Sequence, residues 1–206
     1  MSEGPRTFQS GGLLRFCALA GWLGALALVL SVIVAPWFVP DYDWISDTIS
    51  DLGAGRNEWI VDVGLYAYAG GLMVLAVGAA HMHPGGDVGW TAGLLALLVL
   101  GLLVTVIGAR NEYGDGDSDG VVVHTKLVYG LGLGYTVATF GMASQAGGRM
   151  TTVFRVFGAL WVLCAPVFFF LPTGIDGLFE RWLGVIALGW SSCVAIVLWR
   201  QAQRCD

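Results

Sequence analysis

Apolar positions in this chain run in long blocks, not in the two-residue alternation of strands or the one-sided spacing of soluble helices. Six blocks lie near residues 14–36, 59–80, 89–109, 121–143, 154–171 and 182–200. Each is long enough to cross a bilayer as a helix, which takes roughly 20 residues. The pattern predicts an all-α membrane protein, a six-transmembrane-helix bundle forming one integral membrane domain over residues 1–206. The first block is too long for a cleaved signal, and no small-x-small cleavage site follows it. Pro166 falls inside the fifth block and predicts a kink there.

The polar positions between the blocks are sorted by charge. One alternate set of loops and ends holds Arg6, Arg15, Arg149, Arg155, Arg200 and Arg204, against only Glu3, Asp87 and Asp206. The other set holds Arg56, Arg110, Lys126 and Arg181 beside twelve Asp and Glu residues. Basic residues mark the cytoplasmic side of a membrane protein. Both ends of the chain are therefore expected in the cytoplasm, with the acidic loops outside a cell membrane crossed several times. Trp37, Trp44, Trp59 and Trp182 fall near the outer boundary and Trp90 and Trp199 near the inner one, the depth that amphipathic rings prefer.

Composition agrees with this frame. Hydrophobic residues are 56% of the 206, charged residues 12%, and Gly is 31 of the total, with a mean hydropathy of +0.73. So many glycines suit close packing of membrane helices, and Gly89-x-x-x-Gly93 and Gly130-x-x-x-Gly134 mark expected helix contacts. The net charge of −5, with no basic stripe, argues against a nucleic-acid partner. The four cysteines form no CxxC pair, which argues against a zinc ribbon or a disulfide framework. His81-Met82-His83-Pro84, on the cytoplasmic side, reads as a solvated loop.

Candidate chemistry gathers on the acidic side. In the first loop Asp43, Asp47 and Asp51 recur at i, i+4 and i+8, so a short interfacial helix would carry them on one stripe, with Trp44, Ile45, Ile49 and Leu52 roughly opposite. Like charges at that spacing destabilise a helix by a few tenths of a kcal/mol per pair, and Arg56, Arg110, Lys126 or Arg181 are available to compensate. In the second loop Asp115-x-Asp117-x-Asp119-Gly120 matches the first half of a calcium loop, but its twelfth position is Lys126 instead of a bidentate Glu. Calcium is a weak alternative there. Zinc is another, through His124 with two of Asp47, Asp51, Glu112 or Glu180; the primary expectation is no cofactor. His124 opens the fourth block on the same side as these carboxylates, within one water's reach of Asp47, Asp51, Glu112 or Glu180. In the third loop Glu180-Arg181 enters the last block as charges reaching back to the interface.

The order of these motifs resembles the DUF998 family of bacterial and archaeal six-helix membrane proteins. Asp47-Thr48-Ile49-Ser50-Asp51-Leu52-Gly53 carries the resemblance, with Glu112, His124 and Gly177-Leu178-Phe179-Glu180-Arg181 following in order. The resemblance implies a six-helix bundle with a polar cluster on its outer face and brings no activity with it.

Three functions compete. The first is binding of a lipid headgroup or small ligand, or a structural role, at Asp43, Asp47, Ser50, Asp51, Arg110, Glu112, His124, Lys126, Glu180 and Arg181. The second is a hydrolase or transferase working on an outer-leaflet lipid, with His124, Asp47, Asp51 and Glu112 as the acid–base candidates. The third is transport, and it is disfavoured: ion paths need ionisable groups at mid-bilayer, and the block centres hold Tyr, Thr and Ser but no carboxylate, Lys or Arg. Membrane lipid is the expected partner, with a small ligand on the outer face as the other. No motif specifies an oligomer.

Overall fold

The computed structural model describes residues 9–54, 57–82, 87–109, 124–172 and 174–205. Among them are seven α-helices and no strand: α1 (Gly11–Val34), α2 (Ile49–Leu52), α3 (Trp59–Met82), α4 (Val88–Ala109), α5 (His124–Ala143), α6 (Arg149–Phe168) and α7 (Asp176–Ala202). A 3-10 turn, Ala35–Phe38, continues α1. Pro36, which has no N–H to extend the α-helical ladder, accounts for that tightening.

Five of the long helices, α1, α3, α4, α6 and α7, are long and apolar enough to cross a membrane. The remaining long helix, α5, has spanning length over 20 residues. It is the more polar one, carrying His124, Lys126, four glycines, two tyrosines and three threonines. The six long helices form a ring. Each packs on its neighbour in the order α1, α3, α4, α5, α6, α7, and α7 closes back on α1. Helix α3 also touches α7 across the middle.

Glycine sets the closest approaches. Where α1 meets α3, a Cβ on Gly24 would lie 2.5 Å from the Ala67 carbonyl oxygen, and one on Gly71 3.1 Å from that of Ala20. The two Gly-x-x-x-Gly pairs read from the sequence both face the α4–α5 contact: a Cβ on Gly93 would lie 2.5 Å from Met142, and one on Gly134 2.8 Å from Leu100. Small residues here let backbones approach, and packing drives association where lipid removes the hydrophobic incentive.

At the centre a row of hydroxyls joins alternate helices of the ring. Tyr68 Oη on α3 lies 2.7 Å from Tyr135 Oη on α5 and 3.2 Å from Ser191 Oγ on α7. Ser191 donates to its own helix at Leu188 O, 3.1 Å away. Each hydroxyl has one proton; with that of Ser191 on Leu188 O, the row runs from Tyr135 to Tyr68 to Ser191 to the backbone. Around it Tyr135 packs on Trp161 with centroids 4.6 Å apart and meets Trp190 edge-on at 5.8 Å.

Three expectations change. Helices α6 and α7 begin at Arg149 and Asp176, before their apolar blocks. Trp90 is not an interface ring: it is 1% exposed, and its indole donates to Ala79 O at 3.1 Å between α3 and α4. Trp37 and Trp59, by contrast, are 77% and 63% exposed. His81 is not in a solvated loop. It lies in the last turn of α3 and accepts the Ser10 N–H at 2.7 Å.

Candidate functional site

The first loop is built by its own aspartates. Asp43 Oδ1 accepts the Ile45 N–H at 2.8 Å, and Asp47 accepts the Asp43 N–H at 2.8 Å and the Ser46 hydroxyl at 3.0 Å. Thr48 caps α2: its Oγ1 accepts the Asp51 N–H at 3.0 Å, while Asp51 Oδ2 accepts the Thr48 N–H at 2.6 Å. This reciprocal box satisfies two of the donors a helix start leaves bare. The expected stripe of three aspartates on one helix is therefore wrong. The helix is only Ile49–Leu52; Asp43 and Asp47 lie in the turns before it. Short carboxylates next to bare N–H groups turn the chain instead of extending a helix, and the turn also separates charges that a helix would stack.

This loop docks on the first turns of α7. Leu178 N–H donates to Ile45 O at 2.9 Å. At Gly177 any Cβ would overlap the Asp47 carbonyl, so this contact requires glycine. Arg181 donates from Nη1 to Asp47 O and to Gly177 O, both at 2.8 Å, and from Nη2 to Tyr42 Oη. Its guanidinium lies 4.9 Å from the Trp44 ring centroid and 5.5 Å from that of Tyr42. Tyr42 in turn donates to Thr48 O at 2.9 Å. Burial pushes the Tyr42 phenol up to about 12, against the opposing pull of the Arg181 hydrogen bond and charge.

Glu180 makes the other half of the clamp. One carboxylate oxygen accepts the Ile49 N–H, and the other accepts the Ser50 hydroxyl at 3.1 Å. The same hydroxyl lies 3.3 Å from His124 Nε2, on a ring that is 8% exposed. Three elements, α2, α5 and α7, thus converge on one serine. With the Ser50 proton on the carboxylate, Nε2 is the donor to Ser50. The row runs from imidazole to hydroxyl to carboxylate. A nucleophilic serine needs the reverse, with its proton aimed at an imidazole lone pair.

His124 thus reaches Glu180 through a protein hydroxyl, where the sequence pointed to a carboxylate within a water's reach. Asp47 and Asp51 hold the loop together. Lys126 is exposed on α5. Arg110, Glu112 and the calcium-like Asp115, Asp117 and Asp119 lie outside the described residues. No group of three His, Cys, Asp or Glu among the described residues is placed to hold a metal, so the zinc set around His124 is not assembled from Asp47, Asp51 and Glu180. Sequence reasoning missed Tyr42, and it placed Gly177 in a motif without its docking role. An Arg and a Gly four residues apart, opening a helix, were the available signal, but their partner lies more than 130 residues away in sequence.

A ring of apolar helices, most of them able to cross a bilayer, with a charged cluster at one end, defines the class: a helical membrane protein. The model of a family described as a protein of unknown function (DUF998) matches residues 22–197, and the chain belongs to that family. The two motifs that carry its resemblance, Asp47–Gly53 and Gly177–Arg181, are the two faces of the clamp. No curated protein and no solved structure matches the chain.

Proposed function

We propose that the protein crosses the cell membrane six times, with both ends of the chain in the cytoplasm, and binds a lipid headgroup or small polar ligand at the outer α2 end. Helix α5 supports the sixth crossing because it lies in the ring between α4 and α6. The charge sorting supports the orientation. A Cys placed at Ser118 should react with an impermeant thiol reagent on intact cells; labelling only after lysis would reverse the orientation.

The observation that carries the binding reading is the convergence of Glu180 and His124 on Ser50, whose hydroxyl lies 3.1 Å from the carboxylate and 3.3 Å from Nε2. An imidazole beside a hydroxyl suits recognition of a polar group, and Glu180 and Arg181 are occupied in positioning the loop that carries Ser50. Native mass spectrometry of protein extracted from its own membranes tests this. Ser50→Ala and His124→Ala should lose a lipid or small molecule that the wild type retains, while keeping its fold. Equal retention by all three would remove the site from this role.

The second reading, a hydrolase or transferase on an outer-leaflet lipid, is favoured by the His124–Ser50 approach at 3.3 Å. It requires the row to reverse when substrate arrives, with Glu180 giving up the hydroxyl. Lipid turnover that is present in the wild type and abolished in His124→Ala would establish it.

A further inference from the structure

His81 sits at the end of the bundle opposite α2, and nothing in the proposed site uses it. Its Nε2 accepts the backbone N–H of Ser10 at 2.7 Å. A backbone N–H can only donate, so Nε2 must present its lone pair and the ring must be neutral, with its proton on Nδ1. The residue before Ser10 also fastens the start of α1 to its neighbours. Gln9 Nε2 donates to Met82 O at 3.2 Å, and Gln201 on α7 donates to Gln9 Oε1 at 2.7 Å. Ser10 is the N-cap of α1, its hydroxyl accepting the Leu13 N–H at 3.3 Å.

We propose that His81 is a proton-released latch for the segment entering α1. A second proton on the ring turns Nε2 into a donor aimed at another donor, and the bond to Ser10 is lost. Imidazole is the side chain whose charge can change near physiological pH. Among the described residues, the charged groups on the elements packed against α3 at this end are three cations and one carboxylate. Arg15 on α1 and Arg200 and Arg204 at the end of α7 are themselves cations. Asp87, at the start of α4, has its carboxylate engaged by the Trp90 N–H at 2.7 Å, Gln145 at 2.9 Å and Ser144 at 3.0 Å. Acidification on that side of the membrane thus frees Ser10, loosens the first turn of α1 and leaves Gln9 held only by its own side-chain bonds.

Hydrogen exchange on the full chain in nanodiscs, corrected for intrinsic rates between pH 7.5 and 5.5, tests the latch. Protection over residues 9–13 should fall on acidification, by at most about tenfold per pH unit, the limit for a one-proton opening. His81→Gln keeps an uncharged acceptor and should abolish the pH step. His81→Phe removes the acceptor and should give low protection at both pH values. His83→Gln should leave the step intact. An unchanging wild-type protection, or a step that persists in His81→Gln, would overturn the proposal.

Discussion

The centre of the bundle and its α2 end both join distant helices through polar side chains, but they do it with different chemistry. At the centre the groups are neutral hydroxyls, Tyr135, Tyr68 and Ser191, and their row ends on a backbone carbonyl. At the α2 end the groups are charged, and they take hold of a loop: Arg181 holds two carbonyls and a phenol, while Glu180 holds an N–H and a hydroxyl. Neutral hydroxyls can be buried at modest cost once paired, whereas a charge at that depth is expensive. The polar centre is therefore glue. The charged end is where the protein spends its few ionisable groups, and there they position one serine and one histidine.

Breaking the charged end should cost most. Arg181→Met removes three donated bonds at once and with them the guanidinium's hold on the docked loop; hydrogen bonds to charged groups are each worth about 1.5–3 kcal/mol. With water entering the opened loop, a net loss of roughly 3 kcal/mol is expected, read as a fall in Tm in detergent. Gly177→Val should undock the same loop by overlap with Asp47, leaving the apolar ring intact. Near-normal stability in both variants would show that the clamp holds nothing.

At the centre the one-way row predicts an asymmetry. Tyr68→Phe leaves the Tyr135 proton without its acceptor and should cost about 1–2 kcal/mol, the penalty of a buried unsatisfied group. Tyr135→Phe removes only the first donor and should cost about 0.6 kcal/mol, the average for a hydrogen bond between membrane helices. Equal losses would mean that the row does not run from Tyr135 to Ser191.

A further effect is alkaline. Folded Tyr42 holds its proton to about 12, above the ordinary tyrosine value of 10. Protonated phenol favours the docked loop, so its contribution is complete below pH 10 and is lost as pH rises from 10 toward 12. Tyr42→Phe should flatten that part of the stability profile; an unchanged profile would assign the alkaline loss to other groups.

The ring of helices was legible because hydropathy blocks and glycine pairs are local signals. Gly93 and Gly134 face their neighbours as their spacing implied. The starts of α6 and α7 were not, since hydropathy ends a helix at the first charges, and Arg149 and Glu180 lie inside theirs. Trp90 showed the limit of composition: an indole near a boundary reads as an anchor until its N–H is seen to close a helix contact. In the site, the identity of Ser50, His124, Glu180 and Arg181 was readable from their shared side, but their order was not. Asp47 and Asp51 seemed equally fit for acid–base work, and only geometry shows that their carboxylates shape the loop.

The direction of the row at Ser50 is what separates a binding site from a nucleophile, and the nitrogen-15 NMR spectrum of His124 reads it directly. A proton on Nε2, with Nε2–H donating to Ser50, is the predicted result. An unprotonated Nε2 facing the serine would contradict it and make Ser50 the donor to a base.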